Sequence, residues 1–129
     1  MLLGRDHTMK RFRRVRFRIL AASGLWALVI GVGSVAGVWA AVLKERRLEA
    51  AYVAIQIGDP RDRLVALAGP ADATGDCSDP HRPYRSAGCH EDLRYGSMYQ
   101  SWYYSFDGEG KLTQKVECFL GEYCNKVGR

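Results

Sequence analysis

Residues 19–43 lack any charged side chain, in a chain in which 26% of all residues are charged. The stretch is mostly apolar. As a helix rising about 1.5 Å per residue it is longer than a bilayer's hydrocarbon core of about 30 Å. The sequence therefore predicts a single transmembrane helix over 19–43 that contacts the lipid bilayer. No cysteine stands at the end of the run, which excludes lipid attachment at that point.

Residues 44–129, which follow the apolar run, have no excess of basic side chains. The net charge of +5 comes from residues 1–18, which hold seven basic residues and one acidic residue. Residues 44–129 hold twelve basic and thirteen acidic residues, so this part has no electrostatic footprint for nucleic acid. The basic tail before the apolar run predicts a cytoplasmic amino terminus and an extracytoplasmic domain at 44–129, anchored in the cytoplasmic (inner) membrane.

The apolar run has an alternative interpretation as a cleaved signal peptide. In this interpretation Val38-Trp39-Ala40 would serve as the small-residue cleavage site, and cleavage near Ala40 would release a soluble domain. A signal h-region usually has about 7–15 residues, and this run is longer, which favours an uncleaved signal anchor. Either way, the domain is predicted to be exported.

Motifs for common enzyme chemistry are also missing. The chain has no C-x-x-C pair, no glycine-rich phosphate loop after a strand, and no G-x-S-x-G elbow. Ser78, Ser86 or Ser97 beside His81 or His90 would be needed for a hydrolase, but such loop residues are usually only solvated. The sequence predicts a non-catalytic protein without a cofactor.

Four cysteines are present, and all lie in the exported part: Cys77, Cys89, Cys118 and Cys124. An even number of cysteines in a small exported domain predicts disulfide bonds. Three pairings are possible, and proximity in sequence favours Cys77 with Cys89 and Cys118 with Cys124.

A zinc site is the competing interpretation of the first pair. Cys77, His81, Cys89 and His90 contain metal-ligating side chains, but they lack the paired ligand spacings typical of zinc sites. The sequence therefore favours a disulfide and predicts no metal.

Two helices are predicted to begin the exported domain. Over 44–56, one face is apolar, formed by Leu48, Ala51, Tyr52 and Ile55. The stretch 57–70, IGDPRDRLVALAGP, predicts a short helix that Asp59 caps at its first turn and that Gly69-Pro70 ends.

Aromatic alternation predicts a strand over 99–106 and a returning strand over 111–119, joined by a turn at 107–110. A further short strand is expected at 91–95 within the otherwise irregular stretch 70–98. We expect an antiparallel sheet with Trp102, Tyr104 and Phe106 against the helices, in a two-layer α+β domain. The opposite, solvent-facing side is predicted to bind a partner protein through Tyr99, Tyr103, Thr113 and Lys115, with Glu117 beside them.

Three short segments resemble the SmpA/OmlA (BamE-like) family of outer-membrane-assembly lipoproteins. They are IGDPRDRLVALAGP (57–70), SWYYSF (101–106) and FDGEGKL (106–112). The resemblance covers roughly residues 50–118, with a membrane-spanning helix in place of the family's lipidated cysteine. It implies an α-α-β-β-β fold and a scaffold that binds another protein of the bacterial cell envelope. The layout is also similar to secreted β-lactamase inhibitor proteins, so a secreted inhibitor of an extracytoplasmic enzyme is the alternative. Gly33 and Gly37 allow a homodimer of membrane helices.

Overall fold

The computed structural model describes the backbone of residues 6–80 and 86–129 and, within those ranges, the side chains from residue 21 onward. The chain forms two compact units, Met1–Ala40 and Ala41–Arg129. The predicted basic tail belongs to the first unit, and its side chains lie outside the described part of the protein.

The first helix, α1, spans Asp6–Ala54 and contains the predicted apolar segment. From Ala21 onward it includes a window that is long and apolar enough to cross a membrane, by length and composition, and none of this window is buried inside the protein. Large apolar side chains such as Leu25, Trp26 and Trp39 are more than half exposed. This is the composition expected of a helix whose surroundings are themselves apolar.

The second unit contains the end of α1, a short helix α2 at Arg61–Ala68, and one antiparallel sheet of five strands in sequential order. The strands are β1 Ala73–Gly75, β2 Glu91–Gly96, β3 Gln100–Phe106, β4 Leu112–Phe119 and β5 Tyr123–Gly128. The α+β class is confirmed, as are the three predicted strands. The sheet is larger than predicted because β1 and β5 add one strand at each edge.

The end of α1 packs on one face of the sheet, which we call the helix face. The predicted apolar stripe is confirmed, since Leu48, Ala51, Tyr52 and Ile55 are all buried. They share one apolar cluster with Leu64 and Ala68 of α2 and with the strand residues Leu93, Tyr95, Trp102, Tyr104, Phe106 and Leu112. The four largest fully buried side chains of the core are aromatic, namely Trp102, Tyr95, Tyr104 and Phe106.

The predicted cap of α2 is wrong. Pro60 occupies the N-cap position and no side chain caps the helix. The carboxylate of Asp59 instead accepts a hydrogen bond from the backbone N–H of Gln56 at 2.8 Å and pairs with Arg63 at 2.9 Å. At the other end, Gly69 takes a positive φ of 87° and donates its N–H to the carbonyl of Val65, which ends the helix as predicted.

A β-bulge decides which side chains of β4 face the helices. Ser105 is opposite Gln114 and Phe106 is opposite Leu112, so Thr113 is the extra residue. Beyond the bulge, Lys115 stands beside Tyr104 on the helix face, and Val116 stands beside Tyr103 on the opposite face, which we call the far face. The prediction that Lys115 and Glu117 share a face with Tyr103 is therefore wrong, because an extra residue resets the alternation.

Candidate protein-binding groove

A groove opens on the far face beside the edge of β1. Its floor contains Arg94 of β2 and Tyr103 of β3, which lie opposite each other in the sheet. The Arg94 guanidinium lies over the Tyr103 ring, 5.6 Å from its centroid, in a cation–π contact. The groove has a volume of about 270 Å³, and the segment Gly75–Asp79 forms its other wall.

Gly75, the last residue of β1, begins this wall. A Cβ atom there would lie 2.5 Å from a carboxylate oxygen of Asp92 on the neighbouring strand, so a larger residue would require the Asp92 side chain to move. The chain then turns through Cys77, which has a positive φ of 69°, so that Asp76 and Ser78 follow the rim. Hydrogen bonds from the side chain and backbone of Ser78 hold the pKa of Asp76 below its ordinary value.

The groove combines fixed charges of both signs with an aromatic ring. Arg94 is exposed and Tyr103 is partly exposed, whereas Asp76 and Asp92 supply negative charge along one side. Tyr and Arg are enriched where proteins bind each other, because each offers a large contact area together with hydrogen-bonding groups. The chemistry suits a peptide segment with polar and charged side chains.

The four residues predicted to bind a partner do not form one surface. Tyr103 lines the groove on the far face, whereas Tyr99 is exposed at the turn before β3. Thr113 lies at the bulge, partly buried, where its hydroxyl donates to the carbonyl of Ser105 at 3.1 Å and lies 3.0 Å from the hydroxyl of Ser86. Partner binding by these residues stays a prediction, and the groove favours Tyr103.

The placement of Lys115 on a solvent-facing side is wrong. Its Nζ donates to the carbonyls of Tyr52 and Ile55, at 2.6 and 2.8 Å, where α1 ends. It also lies 4.5 Å from the centroid of the Tyr52 ring, and Glu117 follows on the same face. Burial lowers the pKa of the Lys115 ammonium, while Asp59 and Glu117 oppose that effect. The residue caps a helix carboxyl end, where a cation is favourable.

Two disulfides join Cys77 to Cys89 and Cys118 to Cys124, the pairing that proximity in sequence favours. The zinc alternative loses two of its ligands, because Cys77 and Cys89 are bonded to each other. His81 lies outside the described residues. Among the residues that the structure describes, no group of three potential metal ligands is found.

The serines weighed for catalysis have partners other than histidine. The Ser78 hydroxyl donates to Asp76, and the Ser86 hydroxyl lies against Thr113 and donates to the carbonyl of Arg129. The Ser97 hydroxyl accepts the N–H of Gln100 at 3.2 Å. The absence of catalytic activity stays a prediction.

Two contributors to the groove were missed in the sequence, Arg94 and the wall at Gly75–Asp79. The available signal for Arg94 was its place between the apolar residues Leu93 and Tyr95, since a polar residue that alternates with apolar ones points away from the core. No comparable pattern marks the wall.

Gly33 and Gly37 lie on α1, and a Cβ atom added to either would meet no atom within 4 Å. Their pairing between two copies of the helix stays a prediction.

Comparison of the chain with protein-family models, with curated proteins and with solved structures found no match.

Proposed function

We propose that this chain is a single-pass membrane protein whose exported domain binds another protein of the bacterial cell envelope, without catalysis. One observation carries the proposal. The exposed apolar segment of α1 is covalently continuous with a small domain in which all four cysteines are in disulfides. An anchor and an oxidised domain together fit a protein held at the outer side of the inner membrane.

The direction of insertion follows from the charges beside the apolar segment. Residues 1–18 are strongly basic, and such residues remain on the cytoplasmic side. The second unit, 41–129, would then lie outside the cytoplasm, where disulfides persist. Its role as a scaffold has support from the resemblance of 57–70 and 101–112 to SmpA/OmlA proteins.

The groove around Arg94 and Tyr103 is the surface we propose for the partner. Within the part of the chain that the structure describes, an exposed guanidinium, an aromatic ring and carboxylates converge in this groove. The tight packing of Lys115 against α1 removes it from the proposed binding surface.

A released inhibitor is the second candidate, and one observation favours it. The second compact unit begins at Ala41, directly after the possible cleavage site Val38-Trp39-Ala40. Release would give a soluble domain that retains the same groove.

The test is site-specific photo-crosslinking in living bacterial cells that express the full chain. A photoreactive amino acid replaces Tyr103 in one strain and Glu109, in the exposed turn between β3 and β4, in the matched control. We expect one discrete crosslinked adduct from position 103, its loss in the added variant Arg94→Glu, and none from position 109. Equal crosslinking from both positions would contradict a partner in the groove.

The same cells separate the two candidates. An intact amino terminus and resistance of the chain to alkaline extraction from membranes support the anchored protein. A soluble chain that begins near Ala41 would support the inhibitor instead.

A further inference from the structure

Five large apolar side chains are exposed at one end of the sheet, and we call them the apolar tip. They are Met98, Tyr99, Phe119, Leu120 and Tyr123, with exposed fractions between 46% and 72%. Met98 and Tyr99 lie in the turn between β2 and β3. Leu120 lies in the neighbouring turn between β4 and β5, and the strand ends on either side of that turn contribute Phe119 and Tyr123. The N–H of Leu120 donates to the carbonyl of Tyr99 at 2.8 Å, so the two turns form one surface.

Leu120 has a backbone conformation that is unfavourable for a leucine. Its φ is 53°, in the left-handed region that glycine or asparagine usually occupies in such a turn. A leucine there costs about 1–2 kcal/mol relative to a residue at ease in this conformation. Folding of the domain offers no return for this cost, because the side chain is 58% exposed.

The opposite end of the sheet is different in chemistry. The turn between β3 and β4, residues 107–111, consists of charged residues and glycine. Turn residues are normally polar in this way because they face water. The apolar tip therefore differs from an ordinary polar turn, and the exposure of its apolar side chains calls for a specific explanation.

The apolar tip lies at the end of the second unit where the chain enters from the apolar segment. Lys44 is the first charged residue after 19–43, and its Nζ lies 3.0 Å from a carboxylate oxygen of Asp72. Asp72 also accepts the N–H of Gly96 at 2.8 Å, two residues before Met98. Its own N–H donates to the carbonyl of Arg94. These contacts connect residue 44 with the turn that carries Met98 and Tyr99, two of the five residues of the apolar tip.

From this placement we propose that the apolar tip inserts into the headgroup layer of the phospholipid bilayer that α1 enters. The inference rests on the anchored form of the proposed function. Lys44 stands where the apolar segment meets water, so a surface bound to it through Asp72 and Gly96 lies at the level of the membrane surface. Tyrosine, phenylalanine, methionine and leucine are suited to that layer, because it accepts apolar rings and chains while phenol hydroxyls remain hydrated.

Insertion has a consequence for the groove. With the apolar tip in the headgroups, the domain has a second attachment besides α1, so it cannot rotate freely about the helix axis. The groove at Arg94 and Tyr103 would then face a constant direction along the membrane surface.

The test uses methyl NMR of the full chain in nanodiscs of phosphatidylethanolamine and phosphatidylglycerol. Methionine labelled at its methyl carbon gives few signals, because the chain contains only Met1, Met9 and Met98. A lipid that carries a spin label near its headgroup reports contact with the bilayer, and a water-soluble relaxation agent reports contact with solvent. The variant Met98→Leu assigns the Met98 signal.

A matched control comes from Gly108→Met in the opposite turn, where an added Cβ atom would meet no atom within 4 Å. We expect the lipid label to relax the Met98 methyl several-fold more strongly than the methyl introduced at position 108, and the soluble agent to do the reverse. The variant Leu120→Asn removes apolar surface while it suits the positive φ, so it should fold and should weaken the lipid effect at Met98.

Each other result overturns the proposal. Relaxation of Met98 by the soluble agent alone, in a chain that resists alkaline extraction, would leave the anchor intact and remove the apolar tip from the membrane. Protection of Met98 from both agents would indicate that a second copy or another protein covers it. Extraction of the chain from the membrane by alkali would instead contradict the anchored function itself.

Discussion

The two faces of the sheet are covered by different means. The helix face buries Trp102, Tyr104 and Phe106 against two helices in one apolar cluster, with the hydrogen bonds of Lys115 to the end of α1 beside it. The far face buries Val116 and the polar Ser105 and Gln114. It also carries both disulfides, since Cys118 shares this face with Ser101 and Tyr103 while Cys77 lines the groove.

The difference shows how a small domain distributes its sources of stability. A domain of fewer than about 100 residues can bury only a limited apolar area. Here most of that apolar area is buried between the two helices and one face of the sheet. Covalent links close the loops of the other face and leave its polar groove open. The groove proposed for a partner and the aromatic core therefore lie on opposite faces of the sheet.

The largest effect should come from the helix face. Trp102→Ala removes a fully buried ring and should lower the free energy of unfolding by about 3–5 kcal/mol. Val116→Ala, at an equally buried site on the far face, should cost about 1.5–3 kcal/mol. Chemical denaturation of the purified full chain, followed by near-ultraviolet circular dichroism, compares the two. A larger cost for Val116→Ala would overturn the contrast between the faces.

The disulfides test the far face. Replacement of Cys77 and Cys89 by serine opens a link between residues 12 apart and should cost about 3 kcal/mol from loop closure. The matched double variant at Cys118 and Cys124, which are 6 apart, should cost about 2 kcal/mol. The second pair also links strands that a hairpin already holds together. Denaturant midpoints under identical conditions give the order, and a reversed order would contradict this account.

Lys115 tests the edge of the helix face. Lys115→Met keeps most of the side-chain volume but removes both hydrogen bonds to the end of α1, which should cost about 1–2 kcal/mol. Lys111→Met, at an exposed lysine in the β3–β4 turn, is the control and should change stability by less than about 0.5 kcal/mol. Equal effects in thermal unfolding would mean that the contacts of Lys115 with α1 contribute nothing.

The smallest effect should come from Asp72, at the other end of the helix contact. The hydrogen bond from Gly96, followed by that from Lys44, lowers the pKa of Asp72 below its usual 3.8. Its stabilisation is therefore present above that value and is lost as the pH falls through the lower, folded-state pKa. Because the side chain is 46% exposed, screening by solvent keeps the effect small.

Thermal unfolding across acidic pH checks this prediction. Asp72→Asn should flatten the loss of stability below about pH 4, whereas Glu109→Gln, at a highly exposed side chain, should leave the profile unchanged. A parallel profile for Asp72→Asn and the unaltered protein would show that the Asp72 contacts do not depend on its charge.

Strong periodicity made much of the helix face predictable. The apolar spacing of Leu48, Ala51, Tyr52 and Ile55 identifies the packed side of α1, and aromatic alternation identifies β3. The two edge strands, β1 and β5, could not be predicted from the sequence, for a physical reason. β1 has three exposed residues and β5 is almost wholly exposed, so neither carries an apolar pattern.

The candidate site was predicted less well, because it depends on register. Tyr103 was assigned to the side away from the helices, and the structure agrees. Lys115 was assigned to the same side and lies on the other, because the bulge at Thr113 has no signature in the alternation of residue types. Arg94 lies in the groove because the pairing of β2 with β3 places it opposite Tyr103, and sequence spacing alone does not specify that pairing.

The bulge at Thr113 also determines how this hairpin tolerates changes in length. Removal of Thr113 would make Leu112 and Gln114 adjacent, opposite Phe106 and Ser105, and every other side chain would keep its face. Removal of Gln114 or Lys115 would exchange the faces of all the residues that follow and would turn Val116 toward the helices. Among single-residue deletions in β4, one at the bulge is therefore the change that the domain can absorb.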